Sequence, residues 1–162
     1  MKKLGFLTIA FVACMSFMGC PYETATPISD PSIKADEAMF GKWSKSGSEE
    51  YSYSVSRADG FHYKIVKTKL ADGEETVYYG FMSKVGDVSY MNLTDDELNS
   101  DDVKYYLYKV SGSEGKKTLL GVTDNITQEF SSSTELKSYI SKYQDLEFFF
   151  DKSEKEVFYK ED

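Results

Sequence analysis

Tyr51-Ser52-Tyr53-Ser54-Val55-Ser56 is followed after Arg57-Ala58 by Asp59-Gly60 and then Phe61-His62-Tyr63-Lys64-Ile65-Val66. In the first of these segments large side chains alternate with serines, the period-two pattern of a strand with one buried and one solvated face. Asp59-Gly60 is a reversal signal, and Phe61, Tyr63 and Ile65 then alternate with His62, Lys64 and Val66. Working outward, the pattern returns in Val77, Tyr79 and Phe81 after Asp72-Gly73, and in Val88 and Tyr90 after Gly86-Asp87. It resumes in Val103, Tyr105 and Leu107 beyond a polar stretch, then in Thr118 to Val122 after Ser113-Glu114-Gly115. Leu146 to Phe150 and Glu156 to Lys160, around a turn at Asp151 to Glu154, read as a final hairpin. The prediction is an all-β fold, a small antiparallel up-and-down barrel of about eight strands, because closure removes the exposed edges of a meander. No proline follows Pro31, so no ladder donor is missing from these strands.

One helix interrupts the pattern. Ser132-Ser133-Thr134-Glu135 has capping-box spacing, and Leu136, Tyr139, Ile140 and Tyr143 recur at three and four residues. A short C-terminal helix from Thr134 to Tyr143, lying over one mouth or side of the barrel, is expected.

The other end of the chain carries an address. Lys2 and Lys3 precede an apolar run from Leu4 to Met18, the layout of a secretory leader and too short for a membrane span. Phe17-Met18-Gly19-Cys20 resembles the lipobox of bacterial lipoproteins. The resemblance implies cleavage before Cys20, acylation of that cysteine with chains such as palmitate, and residence in the bacterial cell envelope. Pro21-Tyr22-Glu23 lacks an aspartate directly after the cysteine, which favours the outer membrane. Cys14 leaves with the leader, so Cys20 is the sole thiol of the mature chain and no internal disulfide can form. Pro21, Pro27 and Pro31 lie among Thr, Ser, Asp and Glu. The expected organisation is thus a signal peptide over 1–19, a lipidated cysteine with a flexible, solvated tether over 20–38, and a barrel domain over 39–162.

Phe40-Gly41-Lys42-Trp43 resembles the Gly-x-Trp of the first strand of lipocalins and related calycins, and with the lipobox and the meander the chain is similar to small lipocalin-like bacterial lipoproteins. Two departures stand out. The only arginine is Arg57, so no late-strand arginine can pack on the tryptophan, and Thr123-Asp124-Asn125 shares only its first two residues with the family's Thr-Asp-Tyr.

Charge narrows the function. Cleavage removes Lys2 and Lys3 from 19 basic residues and none of the 27 acids, leaving a net charge of −10. Such a surface repels nucleic acid, so the membrane would be met through the lipid alone. The chain has 13 Tyr and 11 Phe. Trp43, Tyr51, Tyr53, Phe61, Tyr63, Tyr79, Phe81, Tyr90 and Tyr105 read either as the lining of a cavity for a small apolar or amphipathic ligand or as rings that simply fill the interior. Their bulk favours the second. His62, the only histidine, alternates with Phe61 and Tyr63 and should face outward, so no catalytic group, metal site or cofactor is expected. Two roles stay open: a lipid-anchored ligand-binding module, or an envelope protein-interaction or inhibitor module with a solid barrel. Ser46-Gly47-Ser48 and Ser111-Gly112-Ser113 resemble loops of bacterial lysozyme inhibitors, and the acidic balance suits a basic partner.

Overall fold

The computed structural model describes residues 22–98, 100 and 102–161; Cys20 and the leader lie outside them. Nine strands form one antiparallel sheet: β1 (Glu23–Thr24), β2 (Gly41–Lys45), β3 (Tyr51–Arg57), β4 (His62–Lys69), β5 (Glu75–Val85), β6 (Val88–Thr94), β7 (Tyr105–Ser113), β8 (Lys116–Val122) and β9 (Phe150–Lys160). Strands β2 to β9 pair with their sequence neighbours, and β9 also pairs with β2, Trp43 opposite Lys160. This closes an eight-stranded up-and-down barrel, in which every strand of the ring has a partner on both sides. The short β1 takes the place beside the start of β7 that β8 has vacated, Glu23 pairing with Tyr106 and Thr24 with Tyr105.

The reversal signals fall where the sequence put them, but the last hairpin does not exist. Residues 151–154 make no reversal; they bulge within β9, Phe150 pairing with Val122 and Lys155 with Leu120, and the strand continues along β8 and, from Phe158, also along β2. The helix α1 (Ser133–Tyr143) starts where its cap predicts. The Ser132 hydroxyl accepts from the Glu135 amide at 3.3 Å, while the Glu135 carboxylate reaches back one residue further than a strict capping box, to the Ser131 amide at 3.0 Å.

Two apolar cores lie on opposite sides of the same sheet. The larger is outside the barrel, where Leu136 and Ile140 of α1, with Phe130 and Phe149, cover Val85, Tyr90, Leu107 and Val122. The helix thus lies on the barrel wall and not across its mouth. The smaller core is inside, around Tyr63, Met91 and Ala35.

Tyr22 and Ile28 complete the outer core and Ala35 joins the inner one, so residues 22–36 depart from the expectation of a solvated tether. Tyr22 and Ile28 are buried, Ile28 wholly so, and the Ile28 amide donates to Asn92 Oδ1 at 2.9 Å. Asn92, itself fully buried, donates onward to Ser83 Oγ at 2.8 Å and to the Phe81 carbonyl at 3.3 Å. The segment is a strap. Its few apolar residues are too widely spaced to give a periodic signal, and its prolines and polar residues resemble those of a linker.

Candidate functional site

Strand register fixes which side chains enter the barrel. Trp43 stands opposite Tyr53, Ile65 opposite Tyr78, Leu93 opposite Tyr106, and Met91 opposite Tyr108, and all of these line one interior cavity of about 370 Å³. At one end a 3-10 turn over Glu37–Met39 lies beneath it. Trp43 Nε1 donates to the Met39 carbonyl at 2.9 Å, Lys160 Nζ to the Ala38 carbonyl at 3.0 Å, and the Asp36 amide to the Tyr63 hydroxyl at 2.7 Å. These bonds fasten the turn across the barrel floor. The opposite end is the mouth, where the exposed Asp95, just past the end of β6, belongs to the cavity lining.

The interior is graded. Met39, Trp43, Val55, Ile65, Met91 and Leu93 give it an apolar wall, whereas Tyr53, Tyr78, Tyr106, Tyr108 and Glu156 bring polar atoms inward. Glu156 is held by an ion pair with Lys45. Among the described residues the hydroxyls of Tyr53, Tyr78 and Tyr108 make no hydrogen bond to the protein, yet no buried polar side-chain atom is left without a partner, so these phenols open onto the cavity. Burial pushes the Tyr53 phenol up to about 12, with the Glu156 charge adding to it. Burial likewise raises Tyr108, reinforced by Glu156 and Glu154, and raises Tyr78, reinforced by Asp95 and Glu156. All three are neutral donors at ordinary pH, aimed into a low-dielectric space where an unmet hydrogen bond is costly. Lys67 and Lys117 also line the cavity, Lys67 with its ammonium 4.0 Å from the centre of the Tyr51 ring.

The nine aromatic residues singled out in the sequence divide into distinct places. Trp43 and Tyr53 line the cavity; Tyr63 points inward and is buried in the floor; Tyr51 stands beside Lys67 toward the mouth. Phe61 sits in the β3–β4 link, 39% exposed. Tyr79, Phe81, Tyr90 and Tyr105 are on the outer wall, since it is their neighbours Tyr78, Gly80, Met91 and Tyr106 that share the inner face. Phe81 and Tyr90 are buried there, Phe81 edge-on to Tyr105 and Tyr90 donating to Gln144 Oε1 at 2.9 Å. His62 is on the outer wall too, 2.7 Å from Asp59.

Tyr78, Tyr106 and Tyr108 were missed because aromatic residues sit on both faces of these strands. One signal was present: the pairing that puts Ile65 inside also puts Tyr78 inside, and register then propagates strand by strand. No family model, no curated protein and no solved structure matches this chain. The closed ring of eight antiparallel strands in sequence order is consistent with a calycin-like fold.

Proposed function

We propose that this chain is a lipid-anchored lipoprotein of the bacterial cell envelope, held at the outer membrane through acylated Cys20, whose barrel binds a small amphipathic ligand. The observation that carries the binding role is the cavity of about 370 Å³, with an apolar wall and three phenolic hydroxyls open to an occupant. That volume falls among those of small-molecule sites, and a few convergent polar groups on an apolar wall are what such sites use to orient a ligand. The apolar part of the ligand would lie toward Trp43, Val55 and Met91, and its polar part toward Tyr78, Tyr108 and Glu156. The role is one of binding, without a catalytic step. An interaction module with a solid barrel fits less well, because its premise is a filled interior.

The test uses the full-length protein expressed in bacteria and extracted in mild detergent. Val55, whose side chain lines the cavity, is replaced by the larger tryptophan. Native mass spectrometry should show a retained small molecule, or tight uptake of an environment-sensitive naphthalene fluorophore, in the natural protein. Both should be lost in Val55→Trp while the circular dichroism spectrum is kept. Absence of both from the natural protein would sink the binding role, and loss of radiolabelled palmitate incorporation would be required of Cys20→Ala if the anchor is correct.

A further inference from the structure

The strap fixes where an anchor on Cys20 must be. The Tyr22 amide donates to the Val122 carbonyl at 3.0 Å, at the end of β8, and Glu23 and Thr24 pair with the start of β7. Cys20 is two residues before Tyr22, so an acyl group there lies within roughly 7 Å of chain from a point fastened to the barrel. A solvated tether would leave the barrel free to tumble above a membrane, whereas the strap is fastened to the barrel from Tyr22 onward.

That point is at the mouth. In an up-and-down barrel the links alternate between ends, so those after β2, β4, β6 and β8 share one end with the exposed cavity residue Asp95. Lys104, in the β6–β7 link, is ion-paired with Glu23 of β1 at 2.8 Å, which brings strap and mouth together directly. Large apolar side chains are also exposed in the links of this end. Leu70 follows β4 and is 60% exposed, while Leu146 and Phe148 precede β9 and are 41% and 69% exposed. Phe148 neighbours Phe149, whose carbonyl accepts from Thr123 at 3.0 Å, one residue beyond the Val122 that holds Tyr22.

Resting on the reading of Cys20 as lipidated, we propose that Leu70, Leu146 and Phe148 form a second membrane contact that seats the barrel mouth-down on the bilayer, so that the cavity opens toward the lipid. The occupant of this face is a surface of zwitterionic headgroups, because Asp72 and Glu147 lie beside the apolar residues and would be repelled by anionic lipid. Leucine and phenylalanine at the headgroup boundary add their buried area to the attraction of the acyl chains. The ligand would then pass between bilayer and barrel without crossing water.

The experiment uses the full lipidated chain in vesicles of phosphatidylcholine with brominated acyl chains. Phe148→Trp and Leu70→Trp place a reporter at the mouth, and Phe61→Trp places one in the β3–β4 link at the other end; Trp43 is common to all and is subtracted as the unsubstituted protein. Bromine should quench the added emission at 148 and 70 at least threefold more than at 61, and aqueous acrylamide should show the opposite order. Equal bromine quenching at all three positions, or acrylamide access at 148 equal to that at 61, would overturn the seating. Intact mass of the same samples separates the two ideas: an acylated chain with an unquenched mouth refutes the seating alone, whereas an unacylated Cys20 removes the anchor and the seating with it.

Discussion

Replacement of Ile28 by alanine decides whether the strap belongs to the fold. Ile28 is wholly buried and packs with Val85, Tyr90 and Leu107 in the outer core. Truncation removes three carbon atoms, about 2.4 kcal/mol at ~0.8 kcal/mol for each buried methylene. The space left adds about 1 kcal/mol or more, since the surrounding sheet and helix can collapse only in part. The Ile28 amide keeps its bond to Asn92, so no polar group is orphaned and the expected loss is about 3 to 4 kcal/mol. In urea, with a slope of ~2 kcal/mol/M, the midpoint should fall by about 1.5 to 2 M with the slope unchanged. The exposed Lys34, in the same segment, serves as a control and should shift stability by less than ~0.5 kcal/mol on truncation. An Ile28→Ala midpoint no lower than that of Lys34→Ala would mean that residues 22–36 contribute nothing in solution, and the argument for a short-leashed mouth would go with it.

Two further outcomes are expected. Gly112 has φ of +111°, and a Cβ there would come within 2.2 Å of the Lys116 carbonyl oxygen, so Gly112→Ala must shift the backbone of the β7–β8 hairpin and should cost ~2 kcal/mol or more, read from thermal or urea unfolding. High pH should weaken the barrel: the unfolded chain ionises the Tyr53 phenol near its ordinary 10.0 whereas the folded protein holds it until about 12. The stability associated with that difference is complete below pH 10 and is lost as pH rises toward 12, and urea midpoints should fall less steeply over this window in Tyr53→Phe than in the natural protein.

The sequence was most legible where only one face of a strand is covered. Serines 52, 54 and 56 alternate with Tyr51, Tyr53 and Val55, and β3 has those serines outward and the others on the barrel side. It was least legible on β5 to β7. There Tyr78 and Tyr79, Tyr90 and Met91, and Leu107 and Tyr108 stand side by side, because the inner face borders the cavity and the outer face is covered by α1 and the strap. A strand covered on both faces gives a nearly continuous apolar run, and such a run does not say which way its first residue points. Four of the nine expected lining residues, Tyr79, Phe81, Tyr90 and Tyr105, therefore fell on the wrong wall. The strap was hidden for the opposite reason: a segment that adds a few apolar pegs to a core built elsewhere has no period of its own. The absent final hairpin has a third cause, since Asp151-Lys152-Ser153-Glu154 has turn composition but is taken up as a bulge inside β9, whose pairing with β8 resumes at Lys155.

That last strand gives the fold a particular history. Lys45 and Glu156, which meet where β2 joins β9, are 111 residues apart in the chain. Bringing such distant segments together costs about 4 kcal/mol in chain entropy before any contact forms, and proteins governed by contacts of this range fold slowly, in milliseconds to seconds. Until β9 arrives, β2 and β8 wait with open ladders. Deleting the residues of β9 would not merely shorten the barrel; it would uncover both edges at once, each a template for pairing with a neighbouring molecule.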